Sequence, residues 1–322
     1  MRILVIGPFG QDAHFLLSAL SVQQPAIKLY GVNHRESPEK IELFRRFNPS
    51  VQIQVNDLTR KSECKAILDT INPHYIFHLA AVHSSVKEMT LLDDKKKAAM
   101  WGCHYTITEN LVDWITYNKE SRLVYAASSQ MFAGHKSGAS INESSLPFPV
   151  NEYGKSKFAG WQVIKEARES RNLHLSCGIL FNHTSEFSKP EFLFPSLVEQ
   201  IVQIIEGNQN VIRVKNEFSF IDISYAGEIA LGLIAMAKSK YPGDYILGSG
   251  TSNKVSKILE ATITHLGLDF NKISIQSTET LSEQLCLVSN STKANENLGW
   301  KAVLSPDQIL IKMVRAKTKL KQ

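Results

Sequence analysis

An unbroken aliphatic run, Ile3-Leu4-Val5-Ile6, breaks at Gly7-Pro8-Phe9-Gly10-Gln11-Asp12-Ala13, and the apolar pattern resumes at Phe15, Leu16, Leu17 and Leu20. A strand that is apolar at every position, rather than at alternate ones, has to be covered on both faces, as a central strand of a parallel sheet is. The later set recurs at helical spacing. Strand, glycine turn and helix in that order form the first half of a dinucleotide-binding unit, in which Gly7 and Gly10 let the backbone approach a pyrophosphate at the helix N-terminus. Phe9, Gln11 and Asp12 share the turn and join the glycines as candidate cofactor contacts. Ala13 stands where the usual fingerprint has its third glycine, so an ordinary strand-to-helix turn is the competing reading.

Further apolar runs follow at the spacing of alternating strands and helices. A second strand, Ile27 to Val32, ends in Asn33-His34-Arg35-Glu36-Ser37. A carboxylate after this strand suits the ribose hydroxyls of NAD, whereas an arginine suits the 2′-phosphate of NADP. Arg35 points to NADP, and its neighbour Glu36 leaves NAD open. Val51 to Val55 reads as a third strand before Asn56-Asp57-Leu58, where Asp57 can reach an adenine amine and Leu58 lies beside it. A fourth, Ile76 to Ala81, ends in Leu79, Ala80 and Ala81, against which a ligand can lie. His78 and His83 lack partners at metal-ligand spacing, so both read as polar groups beside a ligand, and no metal is expected. Trp101 to Trp114 has the period of a core-facing helix, and Arg122 to Ser129 is another buried strand. Its hydroxyls, Ser128 and Ser129, stand at the C-terminal edge, where open parallel sheets bind ligands.

The segment Asn151-Glu152-Tyr153-Gly154-Lys155-Ser156-Lys157 reads as the first turns of a helix, with Tyr153 and Lys157 projecting from one face. A free tyrosine has a pKa of about 10, and a nearby cation favours the phenolate, which makes the group an acid or base near neutral pH. An isolated pair of this spacing is most simply a surface contact. Placed after a glycine turn and strand-end serines, it becomes a candidate for chemistry.

The 322 residues, 43% of them apolar, can bury one large core or two unequal ones, and two domains sharing a cleft is the expectation. A net charge of +5 arises from 36 basic and 31 acidic residues without a long basic run, which gives a nucleic-acid surface no support. Cys64, Cys103, Cys177 and Cys286 form no Cys-x-x-Cys pair and read as reduced thiols of a cytoplasmic protein. Met1-Arg2 runs straight into the first strand, too short for a signal peptide, and no apolar run approaches the roughly 20 residues that span a bilayer. No membrane partner is expected.

In this order the pieces resemble the extended short-chain dehydrogenase/reductase family of nucleotide-sugar enzymes, and within it the GDP-mannose 4,6-dehydratase group. The closer likeness lies in Gly10-Gln11-Asp12, in Cys177-Gly178-Ile179-Leu180-Phe181-Asn182-His183 and in the Leu-Gly-Trp of Asn295 to Trp300. The resemblance implies an α/β fold: a Rossmann-type doubly wound parallel sheet over residues 1–180 holding NADP or NAD, and a smaller α/β lobe over residues 181–322. Some segments of that lobe would return to the Rossmann domain. The lobe would cover a nucleotide-diphosphate sugar, with Asn182 and His83 near the substrate. Tyr153 would be the acid/base, Lys157 would hold the nicotinamide ribose and lower the tyrosine pKa, and Ser128 would orient the reacting oxygen. Relatives pair through two helices, here 101–115 and 157–167, so a homodimer is implied; Phe158, Trp161 and Ile164 would be its face or simply core.

Departures from the pattern are as informative as matches. The dehydratases carry Thr-Ser-Glu where this chain has Ser128-Ser129-Gln130, and an amide cannot act as the base that removes the carbon 5 proton. Hydride transfer at carbon 4, by a 4-keto-sugar reductase or an epimerase, is therefore expected over dehydration. Phe187 and Ser188 replace paired arginines, and Phe218-Ser219 replace Arg-Asp before Phe220-Ile221-Asp222. Lys189, Arg213 and Lys215 are the candidate substitutes for phosphate contacts. A non-catalytic dinucleotide-binding protein is the reading from another class.

Overall fold

A computed structural model describes residues 1–23, 26–82, 93–279 and 286–319. Strands and helices alternate: β1 (Arg2–Ile6), α1 (Gln11–Gln23), β2 (Lys28–Asn33), α2 (Pro38–Phe47), β3 (Val51–Val55), α3 (Lys61–Ile71) and β4 (Tyr75–His78). After α4 (Asp94–Trp101) a π turn (Gly102–Thr106) leads without a break into α5 (Ile107–Tyr117), then β5 (Arg122–Ser128), α6 (Glu152–Arg171) and β6 (Leu175–Leu180). The chain continues through α7 (Leu193–Ile205), α8 (Ala226–Lys238), β7 (Asp244–Leu247), α9 (Val255–His265), a short helix (Thr292–Leu298) and α10 (Pro306–Lys319).

The seven strands form one sheet in the order β7-β6-β5-β4-β1-β2-β3. Every pairing in it is parallel. The order reverses between β1 and β4, so a crevice opens at their C-terminal ends, where doubly wound sheets bind ligands. Apolar residues at every position of β1 explain its place: Leu4 and Ile6 join a core with α3, α5 and α6, while Ile3 and Val5 join another with α1 and α8. Ala13 belongs to the second core and is fully buried, so it meets the helix-to-strand packing demand that the third fingerprint glycine meets elsewhere.

A third core unites α7, α9 and α10, with Phe194, Ile201, Leu259, Ile309 and Leu310 at its centre. It packs beside a parallel pair, Val211–Val214 with Ser274–Ser277. Residues beyond 181 do not all leave the sheet, since α8 covers one face and β7 is its edge strand. Asp222 ties these parts together. Its carboxylate is fully buried and accepts from Ser249 N and Oγ (3.0 and 2.6 Å) and from Ser289 N and Oγ (2.7 and 2.6 Å).

Three expectations need adjusting. The fourth strand is Tyr75–His78 rather than Ile76 to Ala81, because its partner β1 ends at Ile6 and turns away at Gly7. Ser129 leaves β5 and opens a 3-10 turn (Ser129–Phe132). Ile164 has no exposed surface and lies in the first core, so it is no part of an outer face; Phe158 and Trp161 are half-buried and stack on each other, with centroids 5.5 Å apart. All four cysteines are free thiols. Among the described residues no helix is long and apolar enough to cross a membrane.

Helix α6 reaches the sheet through two glycines. A Cβ on Gly160 would lie 2.3 Å from His104 O and 2.6 Å from Tyr125 Oη, and one on Gly154 would lie 2.4 Å from Gln130 O. Gly160→Ala therefore forces the helix off its seat, and urea unfolding should show a loss of about 1–3 kcal/mol with an unchanged m-value.

Candidate active site

The β1–α1 turn is held open by sterics. Gly7 has φ +82°, donates its N–H to Val32 O (3.1 Å), and would place a Cβ 2.6 Å from Ala80 Cα. No side chain fits there, and the left-handed backbone favours glycine independently. Gly10 has open space above it, its nearest neighbour at a Cβ being Gly7 O at 3.7 Å. A glycine cradle at the N-terminus of α1, closed behind by Leu79 and Ala80, fits a dinucleotide pyrophosphate. Ala81 follows as an exposed residue.

Two side chains of the turn, Gln11 and Asp12, reach across to residues 183–188. Gln11 Oε1 accepts from Ser185 Oγ (2.8 Å) and Ser188 Oγ (2.7 Å), and Asp12 Oδ1 lies 3.0 Å from His183 Nε2. His183 Nδ1 is 2.7 Å from Phe181 O. A carbonyl only accepts, so Nδ1 donates to it, and the Asp12 carboxylate facing Nε2 favours a positive charge on the ring. Burial opposes that charge, but the Asp12 carboxylate outweighs it and raises the His183 pKa. Phe187 completes the latch, its ring 3.9 Å from that of His14 and edge-on to Phe15 and Phe47. Where paired arginines were missing from the sequence, the structure has hydroxyls and an aromatic fastening residues 183–188 to the glycine turn.

Phe9 packs edge-on against Phe44, and Leu58 is buried in the core, so both serve packing. Arg35 and Glu36 are exposed beyond the end of β2. Asp57 lies beside them at the end of β3, where Asn56 N bonds Asn33 O. Burial pushes its carboxyl up, but hydrogen bonds from Thr59 and the charges of His34 and Arg60 hold it below the usual range.

The second half of the site gathers at the end of β5. Ser128 Oγ accepts from Gln130 N (3.2 Å), and its side chain hydrogen-bonds the buried Tyr153 phenol. Ser129 is buried in the same turn. Asn151 caps α6, its Oδ1 accepting Gly154 N at 2.8 Å. That bond fixes the amide, so Nδ2 is the atom donating to Gln130 Oε1 (3.1 Å). The Gln130 carboxamide is oriented in turn: its oxygen is taken, and its NH2 group has no partner among the described residues.

Lys157 is 2% exposed; Nζ donates to Ala126 O (2.7 Å) and lies 5.2 Å from the Tyr125 ring and 5.9 Å from that of Tyr153. Burial lowers the ammonium pKa to about 8. Burial also raises the Tyr153 phenol, against the Ser128 hydrogen bond that lowers it. The expected lowering of the tyrosine by Lys157 is thus not what the geometry produces: the ammonium is engaged by a carbonyl, and the phenol stays neutral. His78 is buried with Nε2 3.0 Å from Cys103 O, and burial lowers its pKa to about 3.

His83 lies outside the described residues. Asn182 is exposed and donates to Asp222 O (3.3 Å). Lys189 stands on the surface 4.0 Å from Glu191, and Arg213 is exposed on the Val211–Val214 strand. The structure thus joins Ser128, Gln130, Tyr153 and Lys157 in one constellation and the glycine turn with residues 183–188 in another; Lys189 and Arg213 stay on the surface of separate elements. The sequence reading passed over His104 and the capping role of Asn151; an Asn just before a helical pattern is a start signal that identifies the latter.

A model of the GDP-mannose 4,6 dehydratase family matches residues 4–313. The chain belongs to that family. It is 24% identical to the GDP-mannose 4,6-dehydratase of Sinorhizobium fredii (strain HH103), over 97% of this chain and 95% of the relative. The fold is similar to that of dTDP-glucose 4,6-dehydratase from Bacillus anthracis in complex with NAD, with a TM-score of 0.80, 14% identity and 99% and 97% of the two chains covered. It is also similar to RMD from Pseudomonas aeruginosa complexed with NADPH, with a TM-score of 0.76, 18% identity and 98% of each chain covered. Members of the GDP-mannose 4,6-dehydratase family are nicotinamide-dependent enzymes of the short-chain dehydrogenase/reductase type.

The buried Lys157 has a thermodynamic signature. Between a folded pKa of about 8 and the ordinary 10.5, the unfolded chain binds more protons than the native one, so stability rises with pH across that window. Lys157→Met should flatten the rise, read from denaturation midpoints measured across that window.

Proposed function

We propose that this chain is an NADP- or NAD-linked nucleotide-sugar oxidoreductase that works at carbon 4 of the sugar, in the direction of reducing a 4-ketone. The observation that carries the reading is the fixed carboxamide of Gln130, two residues from Ser128 and hydrogen-bonded to the residue that caps the Tyr153 helix. An amide held in that way donates hydrogen bonds and takes no proton, so elimination of water lacks its base. Hydride transfer does not need one.

Tyr153 is suited to the remaining task. A phenol kept neutral by burial and hydrogen-bonded to Ser128 is a proton donor to a ketone oxygen. When bound, the nicotinamide supplies hydride to carbon 4. Tyr153 gives its proton to the oxygen, Ser128 orients that oxygen, and Lys157, one helix turn on, is held by Ala126 O with its ammonium 5.9 Å from the Tyr153 ring. Arg35, exposed after β2, supports NADP over NAD. Latch residues Gln11, Ser185 and Ser188 support a substrate side closed by neutral groups, with Asn182 beside them; Lys189 and Arg213 are the cations available to a diphosphate. Cytoplasmic location and a homodimer through α5 and α6 accompany this reading.

Purified protein mixed with NADPH and 4-keto-6-deoxy nucleotide sugars should oxidise the nicotinamide, followed by its absorbance; no oxidation with any ketone overturns the reductase reading. Tyr153→Phe should lower the rate by about 10²- to 10⁴-fold while the protein stays folded. A 4-keto product from GDP-mannose with catalytic NADP would instead assign dehydration. Gln130→Glu should bring elimination activity that the parent lacks.

A further inference from the structure

We propose that His104 is a positioning residue of the active site, acting on Tyr153 through Ser156 and joining the loop behind the glycine turn to the catalytic helix; the claim about turnover rests on the role given to Tyr153 above. His104 sits in the π turn between α4 and α5 with no exposed surface. Single π turns inside helices concentrate at functional sites because the extra residue re-aims a side chain. Here the side chain is aimed across the molecule.

The order of donors can be read from atoms that have no choice. Val82 N–H can only donate, and it lies 3.2 Å from His104 Nε2, so Nε2 is the acceptor and carries no proton. The ring proton is therefore on Nδ1, 2.8 Å from Ser156 Oγ. Ser156 receives it and passes its own hydroxyl proton to the Tyr153 carbonyl at 3.0 Å. Val82, His104, Ser156 and Tyr153 thus form a one-way chain from the segment after β4 to the helix that carries the phenol. The imidazole also meets the Tyr153 ring edge-on, with centroids 5.4 Å apart and planes at 88°.

Backbone packing locks the histidine of this chain. His104 O accepts from Thr108 Oγ1 (2.7 Å) and lies where a Cβ on Gly160 would be, and the preceding carbonyl, Cys103 O, meets His78 Nε2. The imidazole cannot shift without breaking contacts on three elements. Rotation of the phenol around its helix is limited in the same way, since the imidazole stands perpendicular beside it. A neutral relay of this kind adds no charge beside a phenol and a buried ammonium, which a carboxylate or imidazolium at the same place would do.

The test combines spectroscopy with kinetics. In a ¹⁵N-histidine spectrum of the dinucleotide complex, the signal lost in His104→Gln should belong to a neutral ring protonated on Nδ1, and Ser156→Ala should shift it. A ring protonated on Nε2, or on both nitrogens, overturns the relay whether or not any sugar substrate has been found. With a ketone substrate in hand, His104→Leu should lower kcat about 10- to 100-fold, a misplacement-sized effect, with the dinucleotide Kd within about twofold of the parent, and His104→Gln, which can accept and donate at once, should restore most of it. In a Tyr153→Phe background the same change should cost nothing further, as expected for residues acting as a unit. An equal loss in both backgrounds, or no rescue by glutamine, would make His104 structural only and overturn the proposal. If His104→Leu does not fold, His104→Gln and Ser156→Ala decide by the same background comparison.

Discussion

The close approach of Ala80 to Gly7 sets the geometry at the mouth of the sheet. With β1 and β4 paired to Ile6 and His78, the chain leaving β4 has to pass directly over the turn that leaves β1. Only a glycine in a left-handed conformation gives it room. That contact fixes the floor of the crevice, the direction of α1 and the path toward Val82. Everything placed on the other side, from the β5 turn to α6, is positioned against this floor by equally tight backbone contacts at Gly154 and Gly160. The site is built from backbone proximity first, and its side chains inherit their aim.

Much of this was legible in the residues. Apolar runs marked the strands, and four of the first five lie within a residue or two of their expected limits. The fourth ran three residues too long on paper because Leu79, Ala80 and Ala81 are as apolar as a strand interior; only the end of β1 shows where pairing must stop. Tyr153 and Lys157 could be found by spacing, since one helical face holds both. The roles of Gln11, Asp12 and Phe187 could not, because their partners lie about 170 residues away for the first two and, for Phe187, on α1 and α2. His104 carries no local signal: a histidine within an apolar helical pattern looks like any satisfied core residue, and its meaning comes from Val82 and Ser156, which reach it from two other elements.

The electrostatics of the site are arranged by burial more than by pairing. Lys157 is held by a carbonyl and an aromatic face, with no carboxylate in contact among the described residues, a setting that weakens its hold on a proton. Tyr153, His78 and Lys157 are all pushed toward their neutral forms by the same loss of water. The exception is the His183–Asp12 pair, where the carboxylate raises the histidine pKa while the two side chains fasten the lobe to the glycine turn.

That fastening has a consequence for how the cleft recognises what enters it. A wall of paired arginines would draw anions by long-range attraction and lose its grip as salt is added. Here the corresponding stretch offers a phenylalanine wedged among His14, Phe15 and Phe47 and two serines already committed to Gln11. Beside the His183–Asp12 pair, that stretch offers a ring and hydroxyls, whose contacts depend little on ionic strength. The side chains of that stretch accordingly present shape at contact in place of paired cations that act at a distance.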